Sequence, residues 1–215
     1  MSFTYATLKT AVQEFTENDE TTFTNNLSLF IKNAEERILK NAHLSLFRKN
    51  VTGGMSSSNQ YLACPSDFLA PFSLSYTSSS IKNFLEFKDV NFVQTFNPNS
   101  STTGSPRYYA QFDVDTFIIA PTPDSSYTSE LHYFYRPASL TAGSSDGTTW
   151  LSINATQGML YGSLIEAYTF MKGSPDLLKE YEKRFAEAMI SIKMLGETRE
   201  VTDEYRTGQV VRPKQ

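Results

Sequence analysis

Residues 104–137 read GSPRYYAQFDVDTFIIAPTPDSSYTSELHYFYRP, with eight aromatics in 34 positions. RYYAQF and TFIIAP are β-branched and aromatic runs on either side of the polar turn DVD, the pattern of a hairpin, and YTSELHYFYRP follows as a third strand. Side chains alternate along a strand. Tyr127, Leu131, Tyr133 and Tyr135 therefore share one face of that strand, and Glu130, His132, Phe134 and Arg136 the other. Both faces carry aromatics, so both are expected to be covered.

Outward from this stretch, residues 44–137 consist of similar short runs broken by Gly, Pro, Asn and Ser clusters such as TGGMSSSNQ, NPNSSTTGS and PTPDSS. That describes a small antiparallel β region with long loops. The flanks have helical spacing instead. Phe23, Leu27, Phe30, Ile31, Ala34 and Ile38 recur at three- and four-residue steps, which predicts a helix over 20–41 with Glu35, Glu36, Arg37 and Lys40 on the opposite face. Tyr5, Leu8, Val12 and Phe15 predict a shorter helix before it, and the acidic NDE at 18–20 is the joint between the two. Residues 154–172 are apolar nearly all round, so this helix belongs in the middle of a bundle, and Gly158 and Gly162 would let another backbone approach closely. Ser174, Pro175 and Asp176 open a last helix over 175–195, with Leu177, Tyr181, Phe185, Ala188, Ile192 and Leu195 on one face and Gly196 closing it. The remainder, ETREVTDEYRTGQVVRPKQ, has no such stripe and reads as an extended arm.

Composition narrows the function classes. With 40% hydrophobic and 20% charged residues, 215 residues can bury one sizeable core, or one core and a satellite. The formal net charge of -4 argues against a broad basic surface for nucleic acid. The N-terminus lacks a basic region followed by an apolar one, and there is no run of about 18 apolar residues, so neither an export signal nor a membrane span is expected. Cys64 is the only cysteine, which leaves no internal disulfide and no CxxC pair, and a reducing assembly site fits.

Catalysis needs converging polar groups, and none is legible. His43 and His132 stand in no metal-ligand spacing, and there is no phosphate loop and no nucleophile elbow. Asp113 and Asp115 could form a carboxylate pair or an ion site, but their place between two short strands suits a turn better. Glu166 could serve as a general acid, or as the partner of an Arg or Lys on a neighbouring helix; the second reading is preferred because buried charge is usually paired. No enzyme activity, metal or cofactor is expected.

Three segments taken together carry a resemblance: YLACPSDFLAP at 61–71, residues 104–140, and TTWLSINATQGMLYGSLIEAYTFMKGSPDLLKEYEKRFAEAM at 148–189. Their order and spacing resemble the head-to-tail adaptor (connector) proteins of tailed bacteriophages. Cys64, where an aliphatic residue is common, and the long QFDVDT turn are departures. The resemblance implies a structural virion protein of the neck, assembled in the host bacterial cytoplasm. Copies would form a ring, usually of twelve, between the portal protein and a tail or nozzle protein, and DNA would pass through without specific binding. A glycan or cell-wall hydrolase using Asp113, Asp115 or Glu166, and an unrelated α+β interaction domain, remain the alternatives.

The fold expected is α+β. N- and C-terminal helices (1–43 and 148–196) form a bundle, an inserted antiparallel β-rich lobe spans 44–147, and an arm spans 197–215. Interfaces enrich tyrosine, and four tyrosines on short strands exceed what a small lobe can bury, so Tyr108, Tyr109, Tyr133 and Tyr135 are the expected contact residues on the lobe. Val201, Tyr205, Arg206, Val210 and Arg212 are the expected contact residues on the arm, a mix suited to folding against a partner.

Overall fold

The structure, a computed structural model, describes residues 2–42 and 46–200. It is an α+β chain in two compact units: Phe47–Arg136, and the segments before and after it.

In the flanking unit, α1 (Tyr5–Thr16) opens on a capping box, in which the Thr4 hydroxyl accepts from the Thr7 N–H at 3.1 Å and the Thr4 N–H donates to the Thr7 hydroxyl at 2.8 Å. It ends at Glu17 in the left-handed conformation. α2 (Thr21–Asn41) buries Phe23, Leu27, Phe30, Ile31, Ala34 and Ile38, the stripe read from the spacing. The short α4 (Trp150–Asn154) is separated by Ala155 from α5 (Thr156–Met171), so the apolar helix begins at 150 with a break that the periodicity did not reveal. α5 packs on α1, α2 and α4, and on α6 (Pro175–Glu200).

Burial of α5 on several sides follows from its small residues. A Cβ at Gly162 would lie 2.9 Å from the Ala34 Cβ, and one at Gly158 would lie 3.3 Å from the Ile38 Cδ1. Both glycines thus mark the close approach of α5 to α2. Glu166, the one acid of α5, receives the Arg37 guanidinium at 2.7 and 2.9 Å and the Asn33 amide at 3.1 Å, which is the structural pairing expected of it.

Two expectations for this unit are corrected. Glu35 does not face solvent with its neighbours. It is buried, and its carboxylate accepts the Leu140 N–H at 2.8 Å, at the start of a short 3-10 helix, Leu140–Ala142. α6 also differs. Met189 and Ile192 are buried while Leu177 and Leu195 are exposed, and the helix runs through Gly196 to Glu200, so the first four residues assigned to the arm are helical. A single glycine costs a helix only about 1 kcal/mol, less than flanking helical turns can supply.

The other unit has two four-stranded sheets. The first has the order β1 (Arg48–Met55), β10 (Tyr127–Tyr135), β3 (Phe68–Ser78), β4 (Ile81–Phe84), antiparallel throughout. The second has the order β2 (Tyr61–Ala63), β8 (Thr116–Ala120), β7 (Tyr108–Gln111), β5 (Glu86–Phe87), with β5 parallel to β7. β6 (Thr103–Gly104) and β9 (Thr122–Pro123) form a small parallel pair. The β7–β8 hairpin around DVD is present, but YTSELHYFYRP is not its third strand; β10 instead sits at the centre of the first sheet. The lobe is mainly antiparallel, as expected, with two short parallel pairings at β5–β7 and β6–β9.

Packing explains the rearrangement. Leu131 and Tyr133 of β10, with Leu74, Tyr76 and Met55, meet Tyr109, Phe117 and Ile119 of the hairpin in one core. The other face of the hairpin, Ala110, Ile118 and Ala120, is covered by Val93 of α3 (Val90–Phe96), a helix the sequence reading missed. Strand β8 is therefore buried on both faces, which is why TFIIA shows no alternation.

Two tests follow from these features. β3 and β4 are joined through Ser79 and Ser80, both at positive φ (48° and 63°), between the paired residues Ser78 and Ile81. Two-residue hairpin loops of this kind favour Asn-Gly, so Ser79→Asn with Ser80→Gly should raise the unfolding free energy by about 1 kcal/mol in chemical denaturation; no gain would contradict the turn geometry.

Burial raises the Glu35 carboxyl above the ordinary glutamate range, with the Leu140 N–H partly opposing it. A raised folded-state pKa contributes stability that is complete below the unfolded value and is lost as pH rises through the folded one. Glu35→Gln keeps an acceptor for the Leu140 N–H without the charge, so its stability relative to wild type should climb as pH rises above the ordinary glutamate range. Unfolding curves that differ by a pH-independent amount would refute this.

Candidate docking surfaces

Among the described residues, the titratable groups singled out from the sequence do not converge on one another. His132 lies exposed on β10, with its ring edge-on to Phe72 at 5.8 Å, and His43 lies outside the described residues. Asp113 accepts the Asp115 N–H at 2.9 Å, which makes the pair a turn. Cys64 is half-buried, and burial, reinforced by Asp115 and Asp113, pushes its thiol up to about 12, so it carries no thiolate nucleophile at neutral pH. Among the described residues, no group of three or more His, Cys, Asp or Glu is placed to hold a metal ion, and no helix is long and apolar enough to cross a membrane.

The four tyrosines named from the sequence part company. Tyr109 and Tyr133 are each 2% exposed in the core between the sheets, so the lobe does bury part of its tyrosine content. Burial pushes both phenols up to about 12, and for Tyr133 the bond it donates to Asp67 at 2.7 Å adds to that. Asp67 itself is raised by burial, but its bonds from Lys49 (2.6 Å) and Tyr133 outweigh this and hold it below the usual carboxylate range. Tyr108 and Tyr135 keep partial exposure. Tyr135 packs edge-on to Phe47 at 6.2 Å with the Lys49 ammonium 4.8 Å from its ring centre. Of the four, any contact with another chain is left to these two. Val201, Tyr205, Arg206, Val210 and Arg212 lie outside the described residues.

A larger apolar surface appears where the sequence reading named no residue, along IKNFLEFKDVNFVQTF at 81–96. Because β4 and β5 are edge strands and α3 covers the hairpin with one side only, the remaining aromatics point outward. Phe84 is 68% and Phe87 54% exposed, and Phe92 and Phe96 are also exposed. Phe92 and Phe96, one helical turn apart, stack at 6.1 Å, and both meet Tyr108 edge-on at 5.1 and 4.9 Å. Lys88 caps the group, 5.7 Å from the Phe92 ring centre and 5.9 Å from that of Tyr108. Beside them an open groove of about 810 Å³ is lined by Ile81, Lys82, Phe84, Glu86, Arg107 and Tyr108. Soluble monomers seldom leave aromatics clustered in water without a partner that uses them. The signal available in the sequence was four phenylalanines in 16 residues with no matching burial pattern.

No curated protein matches this sequence. A family model described as SU10 adaptor protein matches residues 3–213, and the chain belongs to that family of phage head-to-tail adaptors.

Proposed function

We propose that this virion component is a structural ring protein of the neck, copies of which assemble in the host cytoplasm between the portal and the tail. The exposed aromatic surface on residues 81–96 carries the reading: it is left open by the other described residues and is rich in aromatics, which protein interfaces enrich. The formal charge of -4 suits a conduit past which DNA slides without being gripped. The absence of any reactive constellation among the described residues favours a structural role over glycan hydrolysis, which needs a pair of carboxylates flanking a substrate cleft.

Phe84→Ser with Phe92→Ser removes two exposed rings that contribute little to the core. The variant should keep its circular dichroism and melting temperature yet lose incorporation into particles, at about 2 kcal/mol or more for each ring that is a hot spot. Wild-type incorporation would refute the role of this surface.

In the same proposal, residues 201–215 dock on the portal or on an adjacent copy through Val201, Tyr205, Val210 and the interspersed Arg206 and Arg212. Truncation after Glu200 should leave a folded protein that no longer attaches stably to the portal. Attachment at full-length affinity would reduce the segment to a passive end.

A further inference from the structure

The outer face of the first sheet carries a second patch, made by two irregularities in β3. β10 pairs His132 with Ser73 and Tyr133 with Pro71, skipping Phe72, and pairs Phe134 with Ala70 and Tyr135 with Phe68, skipping Leu69. A bulge re-aims the residue it frees. Both freed residues are large, apolar and open to water, Phe72 at 53% and Leu69 at 46% exposure.

Beside them, on edge strand β1, the Arg48 guanidinium lies 4.7 Å from the centre of the Phe72 ring and 5.4 Å from that of Phe134. The two rings hold it in place, and it has no carboxylate partner among the described residues. The neighbouring cations differ: Lys49 is held by Asp67, and Lys82 by Glu130, which also accepts from Asn50 at 2.5 Å. The patch therefore presents two apolar side chains and one preorganised, unpaired positive charge.

The complement is on the same chain. The β7–β8 hairpin turns through residues 112–115, locked by the Asp113 bond to the Asp115 N–H and by the Phe112 N–H donating to the Thr116 carbonyl at 2.9 Å. At its tip Val114 is 78% exposed, the most exposed large apolar side chain among the described residues. Asp115 follows it, with a carboxylate that has no cationic partner among the described residues. A rigid apolar knob flanked by negative charge thus faces water in one sheet, and an apolar patch holding an unpaired arginine faces water in the other.

We infer that the hairpin tip of one copy seats on the Arg48 patch of the next, with Val114 against Leu69 and Phe72 and Asp115 paired to Arg48. The inference rests on the multi-copy reading above. Tip and patch share no residue and belong to different sheets, so each copy can offer one and receive the other. Such a contact is heterologous, the kind that closes into a ring. A fingertip contact covers far less than the roughly 800 Å² per partner of a standard interface, so it sets the register between copies while other surfaces supply the remaining area. Bidentate arginine–carboxylate pairing gives that register its direction.

The test is crosslinking in a Cys64→Ala background carrying Leu69→Cys and Val114→Cys, performed on the purified full-length chain and on assembled necks. Oxidation should give a ladder of dimers, trimers and larger species, while each single-cysteine chain stays monomeric. A ladder in either preparation supports the contact. No ladder in both, a dimer band alone, or an adduct with a different virion protein overturns it.

Arg48→Glu and Asp115→Lys, neither in a buried position, should each weaken self-association about tenfold or more, and the two combined in one chain should recover part of the loss. If copies still form rings and neither substitution matters, this contact is wrong while the neck-protein reading stands. If necks contain a single copy, that reading fails and takes the contact with it.

Discussion

Strand β8 is buried on both faces, and much of the lobe is arranged around that fact. Phe117 and Ile119 point into the space between the sheets, Ile118 and Ala120 point the other way, and each large apolar side chain removed from water contributes about 1.5–3 kcal/mol. A strand that must be covered twice cannot remain in a two-sheet sandwich with one face wet. The inner face takes β10, whose Leu131 and Tyr133 would find no such core as the third strand of a meander. The outer face takes α3, a short helix with one buried valine, whose opposite side is left to display Phe92 and Phe96. The exposed aromatics and the buried strand are two consequences of the same packing.

The helical unit meets the same requirement by a different device. α5 has neighbours on several sides, and residues without bulk at Gly158 and Gly162 let α2 come close enough to exclude water from the seam. Where polarity enters, it is matched. Glu166 is held by Arg37 and Asn33 near the surface of the seam, and Glu35, deeper, satisfies the N–H of Leu140. Leaving either group unanswered in a buried site would cost about 1–3 kcal/mol, so these polar ties select one arrangement of the segments more than they add to its total stability.

The proposed structural function suits a molecule in which, among the described residues, the side chains singled out as reactive candidates are mostly held in structural roles. The Asp113 carboxylate belongs to a turn, the thiol is held protonated, and the phenols of Tyr109 and Tyr133 lie in the core. Rings at the lobe surface, an arginine lying against two of them and an exposed hairpin tip are the features on which the proposed contacts rest. Membership of the SU10 adaptor family places those parts in a virion.

The sequence by itself determined what depends on neighbours along the chain. The stripe from Phe23 to Ile38, the all-round apolarity of α5, the Pro175 helix start and the DVD turn are local patterns, and the alternation of β10 correctly separated Leu131 and Tyr133 from Glu130 and His132, although the expectation that both faces are covered fails at the exposed His132. Periodicity reports that a face is covered but carries no record of what covers it. So only the tertiary structure decided that β10 joins β1 and β3 rather than the hairpin, that Tyr109 and Tyr133 are core while Tyr108 and Tyr135 are partly exposed, that Glu35 turns inward to meet a backbone N–H 105 positions away, and that Leu69 and Phe72 are bulged out of register beside Arg48. Each of those outcomes is set by shape and charge matching between segments far apart in sequence, where the free energy of a position depends on partners that no local pattern names.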